Sequence, residues 1–380
     1  MTHDLVLTGG RVIDPDSGLD RVTDLAFADG CVAAIGDGLD GADMRDVSGA
    51  LVVPGLIDLH THVYWGGTSL SVEADDYARR CAATTLVDTG SAGPGNFPGF
   101  RAHVMAPAEV RILSFLHISF AGIYAFSPTV MVGESLDMRL MASKDVVAVA
   151  RDNPDTVVGI KVRVGRNTSG PNGIAPLDLA LEAADRCGLP VMAHIDLAPP
   201  TYAEVCEKLR PGDVLTHCFR PFPNGPVDAA GAVHDAALRA RDRGVLFDIG
   251  HGMGAFSWES ARAAMAAGFM PDTISSDVHV LCIDGPAWDL LRTMTKLMAL
   301  GMSLEQVIAA ATLTPARAMR RDDLGRLAVG GVGEASVIAV EDGPVELEDV
   351  LGETVAYDRS LRARGMVIGG RFVEAAGQRP

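Results

Sequence analysis

A chain of 380 residues that is 48% hydrophobic can bury one large α/β domain and a smaller companion. Its net charge of −17, with no run of five like charges, argues against a nucleic-acid partner or an anionic membrane surface. Small-molecule substrates are the expected partners. Only four of the 32 basic residues are lysines (Lys144, Lys161, Lys208 and Lys296), so each lysine invites a reason.

The opening stretch MTHDLVLTGG is polar by its third residue and has no basic start followed by an apolar stretch, and no run of 18 apolar residues occurs. A cytoplasmic protein is the expectation, with a homo-oligomer left open. Six cysteines (Cys31, Cys81, Cys187, Cys206, Cys218 and Cys282) lie far apart without CxxC spacing, as reduced, mostly buried thiols would.

In chain order, LVLTGGRVID predicts two strands joined as a hairpin across Gly9-Gly10. Eight short β-rich runs follow, at 55–62, 84–89, 111–118, 157–164, 190–195, 213–218, 245–250 and 273–277, each leading into a helical or loop crossover. Segments 177–188 and 258–268 space their apolar residues helically and end at glycine. ASVIAVE at 335–341 and MVIGGRFVE near the end return to strands. The pattern predicts an α/β fold, a (β/α)₈ TIM barrel with a small β-sandwich built from both termini. A doubly wound sheet alternates too, but the first strand lacks a Gly-rich phosphate loop and polar residues sit at many strand ends.

His60 and His62, two apart on the first barrel run, point to one face, which in a barrel is the interior. Such a pair arises by chance and carries little alone. His194, His217 and Asp277 each fall at the C-terminal end of a different run, where barrel enzymes place catalytic groups. Four imidazoles and a carboxylate suit zinc and its neighbours, and without a thiolate set the site is expected to be catalytic, with positions open to water. Lys161, inside VVGIKVRV, would face the interior, where an ammonium is expensive unless paired or neutralised. Addition of carbon dioxide to its amine would make it an anionic bridging ligand.

PGLIDLHTH, the Lys of GIKVR, the His of VMAHI, the His of LTHC and the Asp of ISSD, in that order, resemble the amidohydrolase superfamily, nearest its dihydroorotase-like branch of hydantoinases and small-acyl deacetylases. The resemblance covers nearly the whole chain. It implies a barrel over 55–330 and a β-sandwich over 1–54 and 331–380. It also implies two divalent ions, with zinc the expected metal: His60, His62 and Asp277 on the first, His194 and His217 on the second, and carbamylated Lys161 and a hydroxide bridging them. Asp277 would be the proton carrier in hydrolysis of an amide, cyclic amide or ester.

The departures bear on substrate. Dihydroorotases carry an Arg two residues past the HxH, where this chain has Tyr64, and D-aminoacylases a Cys after strand two, where it has Ser91. Arg163, two beyond Lys161 and on the same face, is expected either to bind a substrate carboxylate in place of that Arg or to pair with an acid such as Asp196 or Asp248. Tyr64, Trp65, Tyr124, His251 and His279 are the remaining candidate substrate contacts, while His103, His117 and His234 are expected to be structural or superficial. A small-acyl deacetylase is the leading expectation, cyclic amide hydrolysis the alternative, and a silent scaffold homologue the remote one.

Overall fold

The computed structural model describes residues 2–376. Seven parallel strands follow one another in chain order around a curled sheet: Leu56–Thr61, Ala83–Thr89, Arg111–His117, Val157–Val164, Val191–Ile195, Val214–Leu215 and Leu246–Phe247. The eighth run closes the barrel without forming a regular strand. Thr273 bridges Asp248 and Val278 bridges Thr61, and Asp277 N–H donates to the His60 carbonyl at 2.7 Å. The expected strand at 273–277 is therefore reduced to single bridges, and that at 213–218 to two residues. Both stop where a ligand-type residue enters the left-handed region, His217 at φ +68 and Asp277 at φ +48. For residues with a Cβ this costs about 1–3 kcal/mol each and breaks the ladder, and such strain is characteristic of functional sites.

The barrel's inner half is dry. Ile57, Leu59, Val87, Leu113, Phe115, Met192 and Val214 pack there against Ala316, Ala318, Met319 and Leu324. Polar groups gather at the C-terminal mouth. On the first strand Ile57 and Leu59 join this apolar interior, and across a register shift between Asp58 and Thr61 His60 and His62 line the cavity at the mouth. The expected helix at 177–188 runs Ala175–Cys187, with Pro176 in its first turn and Gly188 at φ +67 capping it; Leu177, Ala180, Ala183 and Ala184 are its buried face.

The terminal strands form two packed sheets. One holds Cys31–Gly36, Asp24–Ala28, His3–Thr8 and Gly41–Asp46; the other holds Arg371–Glu374, Thr354–Ile368, Ala335–Glu348, Leu51–Pro54, Arg11–Asp14 and Leu19–Val22. Leu5, Leu7, Leu25, Phe27 and Val32 of the first meet Val12, Val52, Val337 and Val367 of the second in one core, a β-sandwich. The expected Gly9-Gly10 hairpin is corrected. His3–Thr8 and Arg11–Asp14 belong to different sheets, and the glycines carry the chain across: a Cβ on Gly10 would lie 2.7 Å from the Val52 side chain. Gly369-Gly370 does turn a hairpin, pairing Ile368 with Arg371.

The strand begun by ASVIAVE continues to Glu348 and, with Thr354–Ile368, makes a long antiparallel arm whose tip reaches the barrel, where Trp258 Nε1 donates to the Leu347 carbonyl at 3.0 Å. All six cysteines are free, four of them buried. Among the described residues no helix is long and apolar enough to cross a membrane.

Candidate metal centre

The structure brings His60, His62, Lys161, His194, His217 and Asp277 to one end of the barrel. Asp277 Oδ1 lies 3.2 Å from both His60 Nε2 and His62 Nε2, and these three residues offer donor atoms within 4.8 Å of one another. Beside them His194 Nδ1 and His217 Nε2 face each other at 2.6 Å, with the His60 and His217 rings 5.1 Å apart. Lys161 Nζ sits 3.2 Å from His60 Nε2 and is fully buried. Gly90, at φ +90, leaves room for the lysine stem, since a Cβ there would come within 2.8 Å of it.

Hydrogen bonds behind the cluster set which nitrogen presents a lone pair. His217 Nδ1 donates to the Gly250 carbonyl at 2.7 Å, leaving Nε2 as the acceptor. The Thr216 hydroxyl donates to Asp248 Oδ2 at 2.7 Å, so His60 Nδ1 must donate to Thr216 Oγ1 at 2.9 Å and its Nε2 is bare. Asp248 is held in turn by the hydroxyls of Thr273 and Ser275. Burial first, and then the charge on Lys161, hold His60 and His217 well below the usual histidine range, and burial takes His62 down to about 3. Burial lowers Lys161 to about 7 and raises Asp277 to about 6. Neutral imidazoles aimed inward beside a carboxylate are a set of metal donors. The donor chemistry and the tautomers fit divalent ions.

Thr216→Val keeps the shape of the side chain and removes the acceptor behind His60. It is expected to weaken metal binding about 10- to 100-fold, as chelator competition would measure, and to cost the metal-free protein about 1–3 kcal/mol for the buried N–H it leaves unpaired.

A cavity of about 220 Å³ opens above the cluster, walled by Leu70, Ile123, Phe126, Met131 and Met253 and reached by Arg163, Arg220 and His279. His279 thus stands at the site, its ring 6.2 Å from that of His62. Four other expected contacts are corrected. Tyr64 packs on Phe100 at 4.6 Å and donates to the Asn96 carbonyl, making it part of the core under its loop. Trp65 and Tyr124 are each 61% exposed and lie outside the cavity wall. His251 is fully buried against Phe256 and accepts from Lys296 Nζ at 2.7 Å. Arg163 has an acid partner, but it is Glu134, at 3.5 Å, and neither Asp196 nor Asp248; the Arg163 guanidinium also lies over the Phe126 ring at 5.3 Å.

Glu134, Arg220 and Phe126 were not anticipated; His117, expected to be structural or superficial, is buried beside Glu134. Arg163 and then His117 hold Glu134 down to about 2 against the opposing effect of burial, so it stays charged, and His117 is a buried partner of that acid at 3.1 Å. One signal was readable: Glu134 ends a stretch from Ile118 to Gly133 without a single charged residue. A wider groove of about 370 Å³ on the sandwich has its arginines already paired, Arg45 with Asp43 and Arg364 with Glu341.

Comparison with known proteins places this geometry. Residues 256–373 match the amidohydrolase family. Over 355 residues the chain is 36% identical to a deacetylase of Agrobacterium fabrum, covering 93% of this chain and 86% of that one. A dihydroorotase crystal structure superposes with a TM-score of 0.91 at 34% identity, covering 99% of this chain and 100% of the other. An adenine deaminase does so with 0.91 at 29%, over 98% and 100%. A TIM barrel whose mouth gathers a His-His-Asp group defines the class as a hydrolase of C–N bonds of a generally metal-dependent kind. The chain belongs to the amidohydrolase superfamily, in its dihydroorotase-like branch.

Proposed function

We propose that this protein is a binuclear metal-dependent hydrolase that removes a small acyl group from an amide or ester substrate bearing a carboxylate. The observation that carries the reading is two guanidiniums, Arg163 and Arg220, reaching the cavity directly above six convergent ligand groups. Among the described residues Arg163 Nε and Arg220 Nε are buried without a hydrogen-bond partner; the Glu134 contact, at 3.5 Å, is an ion pair. A substrate carboxylate would satisfy them. The deacetylase likeness along most of the chain supports the acyl-transfer class.

His60, His62 and Asp277 would hold one ion, His194 and His217 the other, with zinc the metal that suits them and Lys161, as a carbamate, spanning both. Such ions, when bound, supply an electrophile for the scissile carbonyl and water ionised near neutral pH. Asp277 accepts the proton of the attacking water and returns it to the departing nitrogen or oxygen. Arg163 and Arg220 fix the carboxylate, and Leu70, Ile123 and Phe126 keep bulk water from the reacting carbonyl.

The test is a panel of N-acetyl and O-acetyl carboxylates, with dihydroorotate and hydantoin beside them, offered to zinc-loaded protein. Release of acetate supports the reading, and ring opening without deacylation overturns it. Arg163→Met is expected to cost about 2 kcal/mol in kcat/KM on a carboxylate substrate, roughly 30-fold, and little on its neutral methyl ester. Equal losses on both would make Arg163 a structural partner of Glu134 only.

A further inference from the structure

Lys296 is a second lysine buried as completely as Lys161, yet it lies outside the metal centre. It sits on the helix Leu290–Ala299 and spends each of its three N–H donors. They go to His251 Nε2 at 2.7 Å, the Pro286 carbonyl at 2.8 Å and the Glu348 carbonyl at 2.6 Å, with the Phe256 ring face 5.6 Å away. Among the described residues no carboxylate shares the charge within hydrogen-bond distance. A saturated donor set of this kind fixes three separate chain segments at one point.

Each segment leads somewhere different. His251 Nδ1 is hydrogen-bonded to the Gly252 carbonyl at 2.9 Å, so it donates and its Nε2 can only accept from Lys296. Its ring stacks on Phe256 at 4.8 Å, which closes a tight loop over residues 251–256. Gly252 N–H donates to the Ser276 carbonyl at 2.9 Å, and a Cβ on Gly252 would lie 2.2 Å from Asp277 Oδ2, so this backbone rests against the Asp277 carboxylate. Met253, Gly254 and Ala255 then form part of the cavity wall.

Glu348 belongs to the arm of the terminal sheet. The arm is bolted to the same loop by the Asp349 carboxylate, which accepts from Trp258 N–H at 3.0 Å, and by Val350 N–H, which donates to the Phe256 carbonyl at 3.2 Å.

We infer that Lys296 is a positioning residue: through His251 and the docked arm tip it holds the Gly252–Ala255 wall against Asp277 and the substrate. The terminal sandwich is thereby part of the construction of the pocket, and Lys296 touches neither substrate nor metal ligand. This rests on reading the cavity as the substrate site, but the geometry can be tested without substrate.

Hydrogen–deuterium exchange on the zinc-loaded full chain is the deciding measurement. In Lys296→Met, amides 252–257 are expected to exchange at least tenfold faster while those of Val157–Val164 are unchanged. Asp349→Ala, which frees the arm tip, should reproduce the pattern. If Lys296→Met does not fold, His251 decides: His251→Leu should accelerate the same amides, and His251→Gln, whose side-chain oxygen still accepts from the ammonium, should largely restore them. On the acyl carboxylate turned over fastest by the wild type, Lys296→Met is expected to lose at least tenfold in kcat/KM, mainly through KM, at unchanged metal content. Exchange of 252–257 within twofold of wild type in Asp349→Ala and in whichever of Lys296→Met and His251→Leu folds would overturn the inference, whatever happens to the melting temperature. Failure to find any acyl carboxylate substrate would instead count against the proposed activity and leave the exchange result standing.

Discussion

Asp277→Asn, prepared with its full metal content, is expected to lose about 10² to 10⁴ in kcat. The substitution is nearly isosteric, and asparagine is among the residues that best tolerate a left-handed backbone, so the φ of +48 at this position adds no new strain. The side-chain oxygen can still face His60 Nε2 and His62 Nε2, as Oδ1 does at 3.2 Å. What disappears is basicity. An amide can neither take a proton from the attacking water nor hold it for the leaving group, whereas a carboxylate can do both. A weakened ligand would also lower occupancy, so kcat must be reported per metal-loaded site by elemental analysis of the same sample. Wild-type kcat in a fully loaded Asp277→Asn protein would remove Asp277 from proton transfer and leave it as a ligand alone.

The convergence of the six candidate ligands on one end of the barrel was readable because its signals are local. Two histidines at period two, and single polar residues ending apolar runs, need only strand geometry to be placed on one interior. The substrate contacts were not readable, because loops decide them. Tyr64, Trp65 and Tyr124 follow strands one and three in sequence, yet the loop after strand one folds Tyr64 under itself onto Phe100 and leaves Trp65 in solvent. The cavity takes Phe126 and Met131 from the same strand-three excursion that carries Tyr124. Glu134 displaced the expected partners of Arg163 for the same reason: the excursion returns to the barrel at that residue, which no periodicity encodes. The Gly9-Gly10 turn failed differently. A glycine pair between apolar runs signals a reversal but does not say whether the two runs share a sheet, and here Val52 packing against Gly10 sends them apart. Scarcity of lysine singled out Lys296 as it did Lys161, but two of its three partners lie 45 and 52 residues away and leave no motif.

Lys161→Ala is expected to hold one metal ion where the wild type is expected to hold two, and to lose on the order of 10²-fold or more in kcat, the scale of one preorganised charge-stabilising contact. The amine lies 3.2 Å from His60 Nε2, and among the described residues its one further contact of hydrogen-bonding kind is Met192 Sδ at 3.6 Å. As an ammonium it would be a buried cation among metal donors, repelling the ions that the imidazoles are arranged to hold. Burial favours the neutral amine, the form that adds carbon dioxide, and a carbamate there would turn a repelling group into an anionic ligand. Lys161→Met separates packing from ligation, because it keeps an apolar stem in the space that Gly90 leaves open and lacks the nitrogen. Both variants should lose the second ion, and acetate or propionate should partly restore it in Lys161→Ala, where a gap remains, but not in Lys161→Met. ¹³C-bicarbonate supplied during zinc loading should give a carbamate signal in the wild type and in neither variant. Two equivalents of zinc in Lys161→Met, or a wild type that takes both ions with no labelled carbon, would show that this lysine bridges nothing.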